Sequence, residues 1–579
     1  MRHLTVIIAA GSILTAPAIA KQASQPEQTY AIAEVTSVEA KDFMVAAANP
    51  LAVEAGYDVL SKGGTAADAL VAVQLMLNLV EPQSSGIGGG AFLVYWDAGS
   101  ETLTTLDGRE TAPKSATPEY WIGDDGEPVG WWDAVKGGRS VGVPGTLALL
   151  ENAHERWGDQ AWADMIEPAR KFAETGFEVS PRLAASIIGA AKRGLGDFSA
   201  ARAYFFNEDG APLAEGTTLK NPAFAETLGL IADQGAKAFY GGEIAADIIA
   251  AVKTETNAGE LTLDDLGSYQ VIERAPICAP YRGYDVCGMG PPSSGALTVG
   301  QMLMLLEHFD MPSLSPVNGR EIEGRHLFAE AAKLAYADRA LYMADSDYVR
   351  VPTRGLLDRA YMTARAQLIS PLIAMEKGAA GNPPWRESTL RAPDTDLERP
   401  GTSHIVIRDS YGNAASMTTT IETGFGSRVM VRGFLLNNEL TDFSRAPSKD
   451  GRPIANRVEG GKRPRSSMSP TIVIKDGEPY LLIGSPGGSR IINYVAESIV
   501  AILDWGMDPA TAFALPHVVN RNGATDVETG GEGYIPGLEA LGHTVNPRDL
   551  NSGLHAILIK DGKLIGAADP RREGKAMGQ

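Results

Sequence analysis

A threonine directly after a glycine, at the head of a strand deep inside the chain, constrains this sequence more than any other feature. The stretch begins at Gly401-Thr402-Ser403-His404, and Ile405, Val406 and Ile407 read as a strand. Tyr411-Gly412-Asn413 supplies a turn, and Ala414 to Thr420 gives a second strand rich in β-formers. A cut between Gly401 and Thr402 would create a terminus carrying a hydroxyl and a free amine on one residue. An α-amine has a pKa of about 8, well below that of lysine, so it can act as base to its own hydroxyl.

The segments around this hairpin point to an α+β fold. Before it, Pro50 to Leu60 reads as a helix, and Thr65 can cap a second one in which Ala66, Leu70, Val73, Leu77 and Val80 recur at helical spacing. That second helix is apolar nearly all round and should be buried. The glycine-rich run Ser84 to Gly90 follows a helix, not a strand, and lacks the Gly-Lys-Ser/Thr ending of a phosphate loop. Close backbone packing is therefore its expected role. Gly145 to Trp157, Leu183 to Ala191 and His326 to Tyr342 read as helices. Ser370 to Pro400, punctuated by prolines, reads as an exposed connector where a chain is readily cut. After Thr402 come hairpins around Asp476-Gly477 and Asp561-Gly562, with an apolar helix over Ser489 to Trp505 between them. Such an order suggests sheets packed together and covered by helices.

Several function classes fall away early. A formal charge of −20 argues against nucleic acid as a partner, because nothing would neutralise phosphates. Arg2-His3, the apolar run Leu4 to Ala10 and the ending Ala18-Ile19-Ala20 read as a signal peptide over residues 1–20. No later segment is long and apolar enough to span a membrane. The expected location is thus periplasmic or secreted. Export permits a disulfide between Cys278 and Cys287, which flank the apparent hairpin Tyr281-Arg282-Gly283-Tyr284, but spacing alone leaves the bond open. There is no Gly-x-Ser-x-Gly elbow and no His-Glu-x-x-His, and the eight histidines show no pair at metal-ligand spacing. Neither a cofactor nor a metal is expected. His404 shares a strand face with Thr402 but reads as structural.

Taken together, a series of ordered segments resembles the γ-glutamyltranspeptidase (glutathione hydrolase) family of N-terminal nucleophile hydrolases. These are Glu81 to Gly90, Asp107-Gly108-Arg109-Glu110-Thr111-Ala112-Pro113, Pro291 to Gly295, Leu436-Asn437-Asn438-Glu439, Arg463-Pro464-Arg465-Ser466-Ser467-Met468 and Gly484-Ser485-Pro486-Gly487-Gly488. The resemblance runs from Ala46 to Arg572. It implies a four-layer αββα sandwich made as a precursor that cuts itself at Gly401–Thr402, giving a large subunit over 21–401 and a small one over 402–579 that stay together as a heterodimer. Thr402 would be the nucleophile, Thr420 would hold it in the reactive rotamer, and the backbone N–H groups of Gly487 and Gly488 would form the oxyanion hole. Arg109, Ser466 and Ser467 would bind a substrate α-carboxylate, and Asp442 with Glu439 its α-ammonium. The implied substrates are glutathione and related γ-glutamyl compounds, with water, amino acids or dipeptides as acceptors.

Two positions depart from the family pattern. Glu422 stands where well-studied members carry Asn, which places an acceptor-only group beside two other acids. The loop between Asp442 and Ser466 contains no Tyr, so the family's Tyr–Asn lid contact cannot form. A sister activity, deacylation of glutaryl or cephalosporin compounds, is the alternative reading. A glutaryl group lacks the α-ammonium that the acids would recognise.

Overall fold

A computed structural model describes residue 29 and residues 35–579 apart from 397 and 400; the expected signal peptide lies outside the described residues. Two seven-stranded sheets form its centre. In the first, the order is Lys575–Gly578, Met44–Ala47, Thr402–Arg408, Ala414–Thr420, Gly90–Asp97, Thr102–Gly108 and Ile272–Arg274. In the second it is Val38–Ala40, Lys563–Ala568, His555–Lys560, Glu478–Gly484, Thr471–Lys475, Tyr284–Gly288 and Ile277–Tyr281. All pairings within both sheets are antiparallel.

Strand alternation explains how four layers arise. Side chains of successive strand residues face opposite sides. Val45, Ala47, Leu93, Tyr95, Ile405, Ile407 and Met417 turn to one side, where they pack with helices Pro50–Ser61, Ala66–Val80 and Thr146–Trp157. Their neighbours Met44, Ala46, Val94, Val406 and Ala414 turn the other way and meet Ile472, Leu482, Ile557 and Leu564 of the second sheet. Val473, Leu481, Ile483 and Leu558 then face a second helical layer built from Gly295–Leu306, Glu321–Tyr342 and Ile491–Leu503. Both central sheets are therefore apolar on two faces, and each helical layer closes one of them.

Local chemistry sets the element boundaries. Asn49 caps Pro50–Ser61 by accepting from Leu51 N, and Pro50 sits where its missing N–H costs nothing. Thr65 and Asp68 form a reciprocal capping box for Ala66–Val80, every residue of which is buried, as its composition implies. Positive φ at Asp476-Gly477, Asp561-Gly562 and Arg282-Gly283 gives the tight hairpin turns. In the last of these hairpins Cys278 pairs with Cys287 across the strands, and the two form a disulfide. The helix expected over Ser489 to Trp505 is shorter, Ile491–Leu503, because Gly487 and Gly488 adopt positive φ and a 3₁₀ turn over Gly488–Arg490 precedes it. Among the described residues, no helix is long and apolar enough to cross a membrane.

The connector corrects an expectation. Much of 370–391 is exposed, but Ala392, Asp394 and Glu398 are buried, because arginines inside the fold hold the two acids.

The two sheets approach so closely that Gly484 admits no side chain. A Cβ there would lie 2.5 Å from His404 Nδ1, and that ring is fully buried. We expect Gly484→Ala to cost about 1–3 kcal/mol by overpacking, read as a lower denaturant midpoint. Gly523→Ala, which adds a methyl in open space, should leave the midpoint unchanged.

Candidate active site

Register places the expected nucleophile. Thr402 lies opposite Thr420, Thr420 opposite Gly90, and Ala91 opposite Gly108. Thr402, Thr420 and the start of the Arg109 loop thus share one end of the first sheet. Thr402 is on the same strand face as Val406, which points between the sheets. The strand Glu478–Gly484 of the second sheet ends nearby and leads into Gly487 and Gly488. Pairing of the glycine-rich run with this end is tight: a Cβ on Gly89 would lie 2.9 Å from Thr420 C, and one on Gly88 3.0 Å from Leu435 C. Close packing is therefore what those glycines provide.

In the unbroken chain three groups line up. The Thr402 hydroxyl donates to Thr420 Oγ1 at 3.4 Å, and the Thr420 hydroxyl donates to the Gly401 carbonyl at 2.8 Å. Glu422 N donates to Thr420 Oγ1 at 2.8 Å and so fixes that hydroxyl's direction. Gly401 itself is enclosed: a Cβ would lie 2.6 Å from Thr423 C and 2.7 Å from Gly424 N. Only glycine fits there without moving backbone.

One cleft is lined by Thr402, Thr420, Arg109, Glu422, Glu439, Asp442, Ser466, Ser467 and Gly488, together with Glu398 and Arg399 of the connector. Nine of the ten expected site residues therefore meet here. Gly487 is not in the cleft wall but precedes Gly488 directly, at φ 140°. His404 is structural, as expected. Its Nδ1 pairs with Thr418 Oγ1 at 2.9 Å and its Nε2 with Ser416 Oγ at 3.5 Å, and burial followed by neighbouring His555 holds its pKa well below the usual range.

Comparison with known proteins decides the family. The family model described as Gamma-glutamyltranspeptidase matches residues 52–579. The chain belongs to the γ-glutamyltranspeptidase family. It is 38% identical to a glutathione hydrolase proenzyme of Bacillus subtilis, covering 99% of this chain and 97% of the relative. An acylase ACY 1 proenzyme of a Pseudomonas species is 34% identical, with 92% of each covered. Among solved structures, a cephalosporin acylase of Bacillus halodurans superimposes with a TM-score of 0.82 at 27% identity, covering 94% of this chain and 97% of that one. As a γ-glutamyltranspeptidase-family protein the chain is an enzyme with an N-terminal nucleophile hydrolase fold.

Within this family frame the charges of the cleft stand out. Arg109 is buried, and its guanidinium donates to Glu439, to Asp442 Oδ2 at 2.6 Å, and to the carbonyls of Pro464 at 3.2 Å and Arg465 at 2.9 Å. The two groups expected to divide a substrate between them, Arg109 for its carboxylate and Asp442 for its ammonium, here pair with each other. Burial works against the Arg109 charge, but Glu439, Asp442 and Glu110 outweigh it and hold the guanidinium protonated. One guanidinium cannot satisfy all the acids around it. Burial pushes Glu110 up to about 7, partly offset by Arg109. Burial also raises Glu439 and Asp442 well above the carboxylate range, and burial with the Asp442 charge does the same to Glu422. Among the described residues, Glu439 Oε2, Asp442 Oδ1 and both Glu110 oxygens have no hydrogen-bond partner. A buried cluster of this kind is neutralised by bound protons or by an added cation.

Glu422 is a special case. It sits at φ 75°, a conformation costly for a side chain of its type, and accepts from Asn438 Nδ2 at 2.5 Å and from Arg399 N at 3.4 Å.

Sequence reasoning missed a second ion set. Glu398 Oε1 accepts from Arg339 at 2.5 Å and from Arg465 at 3.1 Å, and Ser467 Oγ donates to Glu398 Oε2 at 3.1 Å. A carboxylate of the chain itself thus occupies a serine expected to bind a substrate carboxylate. Burial opposes the charge, yet Arg339 and Arg465 hold Glu398 down to about 2. No spacing rule links 339, 398 and 465, so only the fold reveals them. Tertiary folding also groups His326, Glu330 and His543, with donor atoms within 4.8 Å of one another. The two rings pair at 2.8 Å, while Lys333 and the backbone of Met375 bind Glu330, so protein groups close this network.

Two outcomes follow from this geometry. If the chain cuts itself at Gly401–Thr402, as the family resemblance implies, Gly401→Ala should fold but remain a single uncut chain on a denaturing gel, since the added methyl displaces that bond. Because the Glu398 pKa is depressed on folding, its stabilisation is full above the ordinary glutamate pKa and lost as pH falls toward about 2. In uncut Thr402→Ala protein, Glu398→Gln should therefore lower Tm near neutral pH, and the difference should shrink below pH ~4.3.

Proposed function

We propose that the protein is exported after removal of residues 1–20, cleaves itself between Gly401 and Thr402, and then hydrolyses or transfers γ-glutamyl groups from glutathione and related amides. The hydrogen-bonded line from the Thr402 hydroxyl through Thr420 to the Gly401 carbonyl carries this reading. In the precursor, Thr402 Oγ1 attacks the Gly401 carbonyl carbon while the Thr420 hydroxyl donates to the carbonyl oxygen as charge develops there. The peptide C–N bond breaks and an ester forms between Gly401 and the Thr402 side chain. Water then hydrolyses that ester, leaving a Gly401 carboxylate and a Thr402 amine. The products are a large subunit over 21–401 and a small one over 402–579 that remain associated, because the strand Thr402–Arg408 is paired on one side with Met44–Ala47 of the large subunit.

In the mature enzyme the Thr402 amine takes the proton from its own hydroxyl as the oxygen attacks the γ-carbonyl of the substrate. Gly487 and Gly488 are assigned to the oxyanion hole, where backbone without a Cβ can approach the developing charge. The leaving amine departs with a proton, and water or an acceptor amine releases the γ-glutamyl group from Thr402. Arg109, Ser466 and Ser467 are assigned to the substrate carboxylate, and Glu439, Asp442 and Glu422 to its ammonium. The vacant oxygens Glu439 Oε2 and Asp442 Oδ1 support the ammonium assignment. Likeness to acylases favours the rival, a glutaryl or cephalosporin acylase, but such an acyl group would leave those two oxygens unfilled.

Purified protein should show two fragments on a denaturing gel, with the smaller beginning at Thr402 by N-terminal sequencing. Thr402→Ala should stay uncut and inactive; turnover by that variant would exclude Thr402 as nucleophile. A γ-glutamyl anilide should be hydrolysed faster than a glutaryl anilide. Asp442→Asn should raise KM for the former by about 10- to 100-fold, the worth of one charged hydrogen bond. Preference for the glutaryl compound would establish the acylase reading instead.

A further inference from the structure

A second polar pocket lies against the loop that follows Thr420. Its free volume is about 20 Å³, slightly more than one water needs, and Gln83, Ser186, Arg193, Thr423 and Arg428 supply its polar side chains. Among the described residues that line it there is no acid. Gln83, Thr423 and Arg428 are each 1% exposed. Among the described residues, Gln83 Nε2 and Oε1, Thr423 Oγ1 and Arg428 Nε have no hydrogen-bond partner. Three buried side chains with unmet polar atoms around one cavity call for a polar occupant, because each such atom costs free energy while it stays unpaired.

Arg428 decides the sign of that occupant. Its guanidinium donates to the carbonyls of Gly424, at 3.0 Å, and Gly426, and among the described residues it pairs with no carboxylate. Burial and the Arg193 charge press its pKa down to about 10, partly offset by Glu422, so it stays cationic at neutral pH. A buried guanidinium is costly until an anion meets it. The chain has a formal charge of −20, yet none of its acids joins this lining. Arg193 also lines a neighbouring basin of about 560 Å³ with Trp132, Lys136 and Lys192, against one acid, Asp197. The excess positive charge of that basin draws small anions toward the pocket.

We propose that this pocket binds one small monovalent anion of the halide class, chloride in solution, and that the bound anion braces the loop 422–428. Arg428 Nε, Gln83 Nε2 and the Thr423 hydroxyl are donors without another acceptor, and the cavity is too small for phosphate or for the carboxylate end of a peptide. Thr423 and Gly424 line the pocket and also pack their backbone against Gly401, where a Cβ would lie 2.6 Å from Thr423 C and 2.7 Å from Gly424 N. One residue earlier, Glu422 N fixes the Thr420 hydroxyl. Glu422, Phe425 and Arg428 all hold positive φ, at 75°, 66° and 72°. Side chains of these kinds keep that conformation only where their surroundings impose it. An anion that meets Thr423 and Arg428 together ties the two ends of this loop beside Gly401 and Thr420. The site is independent of the γ-glutamyl reading given above.

The test uses the purified protein at constant ionic strength, with chloride replaced stepwise by gluconate, which is too large to enter. Tm should rise by about 1 °C for each tenfold of chloride above its half-saturating concentration, as for a ligand of the folded state alone. Thr423→Val removes a hydroxyl that has no partner, so Tm in gluconate should stay within about 1 °C of wild type. In the same variant half-saturating chloride should rise about tenfold, the worth of one hydrogen bond to a charged group. Gln83→Leu should weaken the response in the same way, and Arg428→Gln should abolish it. Crystals soaked in bromide should show one anomalous peak between Gln83, Thr423 and Arg428. Equal Tm in chloride and gluconate, a chloride response that neither Thr423→Val nor Gln83→Leu weakens, or a pocket holding water without a bromide signal would overturn the site. A bromide peak without a chloride response would mark an adventitious ion only and would overturn it equally.

Discussion

The antiparallel register that sets Thr402 opposite Thr420, and Thr420 opposite Gly90, is the constraint on which the rest of the site depends. Strand side chains alternate with a period of two, so a slip of one residue would turn Thr402 from the space between the sheets toward the helical layer. Two apolar faces oppose that slip. Ile405 and Ile407 are buried against helices on one side and Val406 against the second sheet on the other. The glycine run at 88–90 then brings backbone against Thr420 and Leu435, and no residue with a side chain fits there. Hydrophobic packing and backbone contact thereby position the Thr420 hydroxyl on the Gly401 carbonyl.

Charge is the second organising force. Buried carboxylates are costly unless a cation meets them, and this protein has two such groups side by side. Around Arg109 the acids outnumber the guanidinium, which leaves Glu439 and Asp442 with unfilled oxygens. Around Arg339 and Arg465 the charges are even, because the chain's own Glu398 and Asp394 meet the two guanidiniums. One set therefore holds more acids than cations, and acids of the connector complete the other. The bond Gly401–Thr402 joins this connector to the strand that begins at Thr402.

Much of the architecture could be read from local pattern. Thr65, Asp68 and the apolar run after them define a buried helix, and Asp-Gly pairs at 476–477 and 561–562 define hairpins, because capping and left-handed turns depend on a few adjacent residues. Ordered motifs around Arg109, Asp442, Ser466 and Gly487 pointed to the family, and the fold draws them to one end of the sheets. Pattern failed at the connector. A proline-rich polar stretch looks exposed, yet Asp394 and Glu398 are buried, since arginines distant in sequence meet them.

By itself, the sequence determined the element types, the family, the glycine before the threonine, and the identity of the residues that converge on the cleft. These depend on short-range backbone preferences and on residue identity. Only the tertiary structure decided that Arg109 pairs with Glu439 and Asp442, that Glu398 occupies Ser467, and that Gln83 and Thr423 share a pocket with Arg428. Such pairings depend on which side chains meet in a low-dielectric interior, and no sequence spacing encodes that.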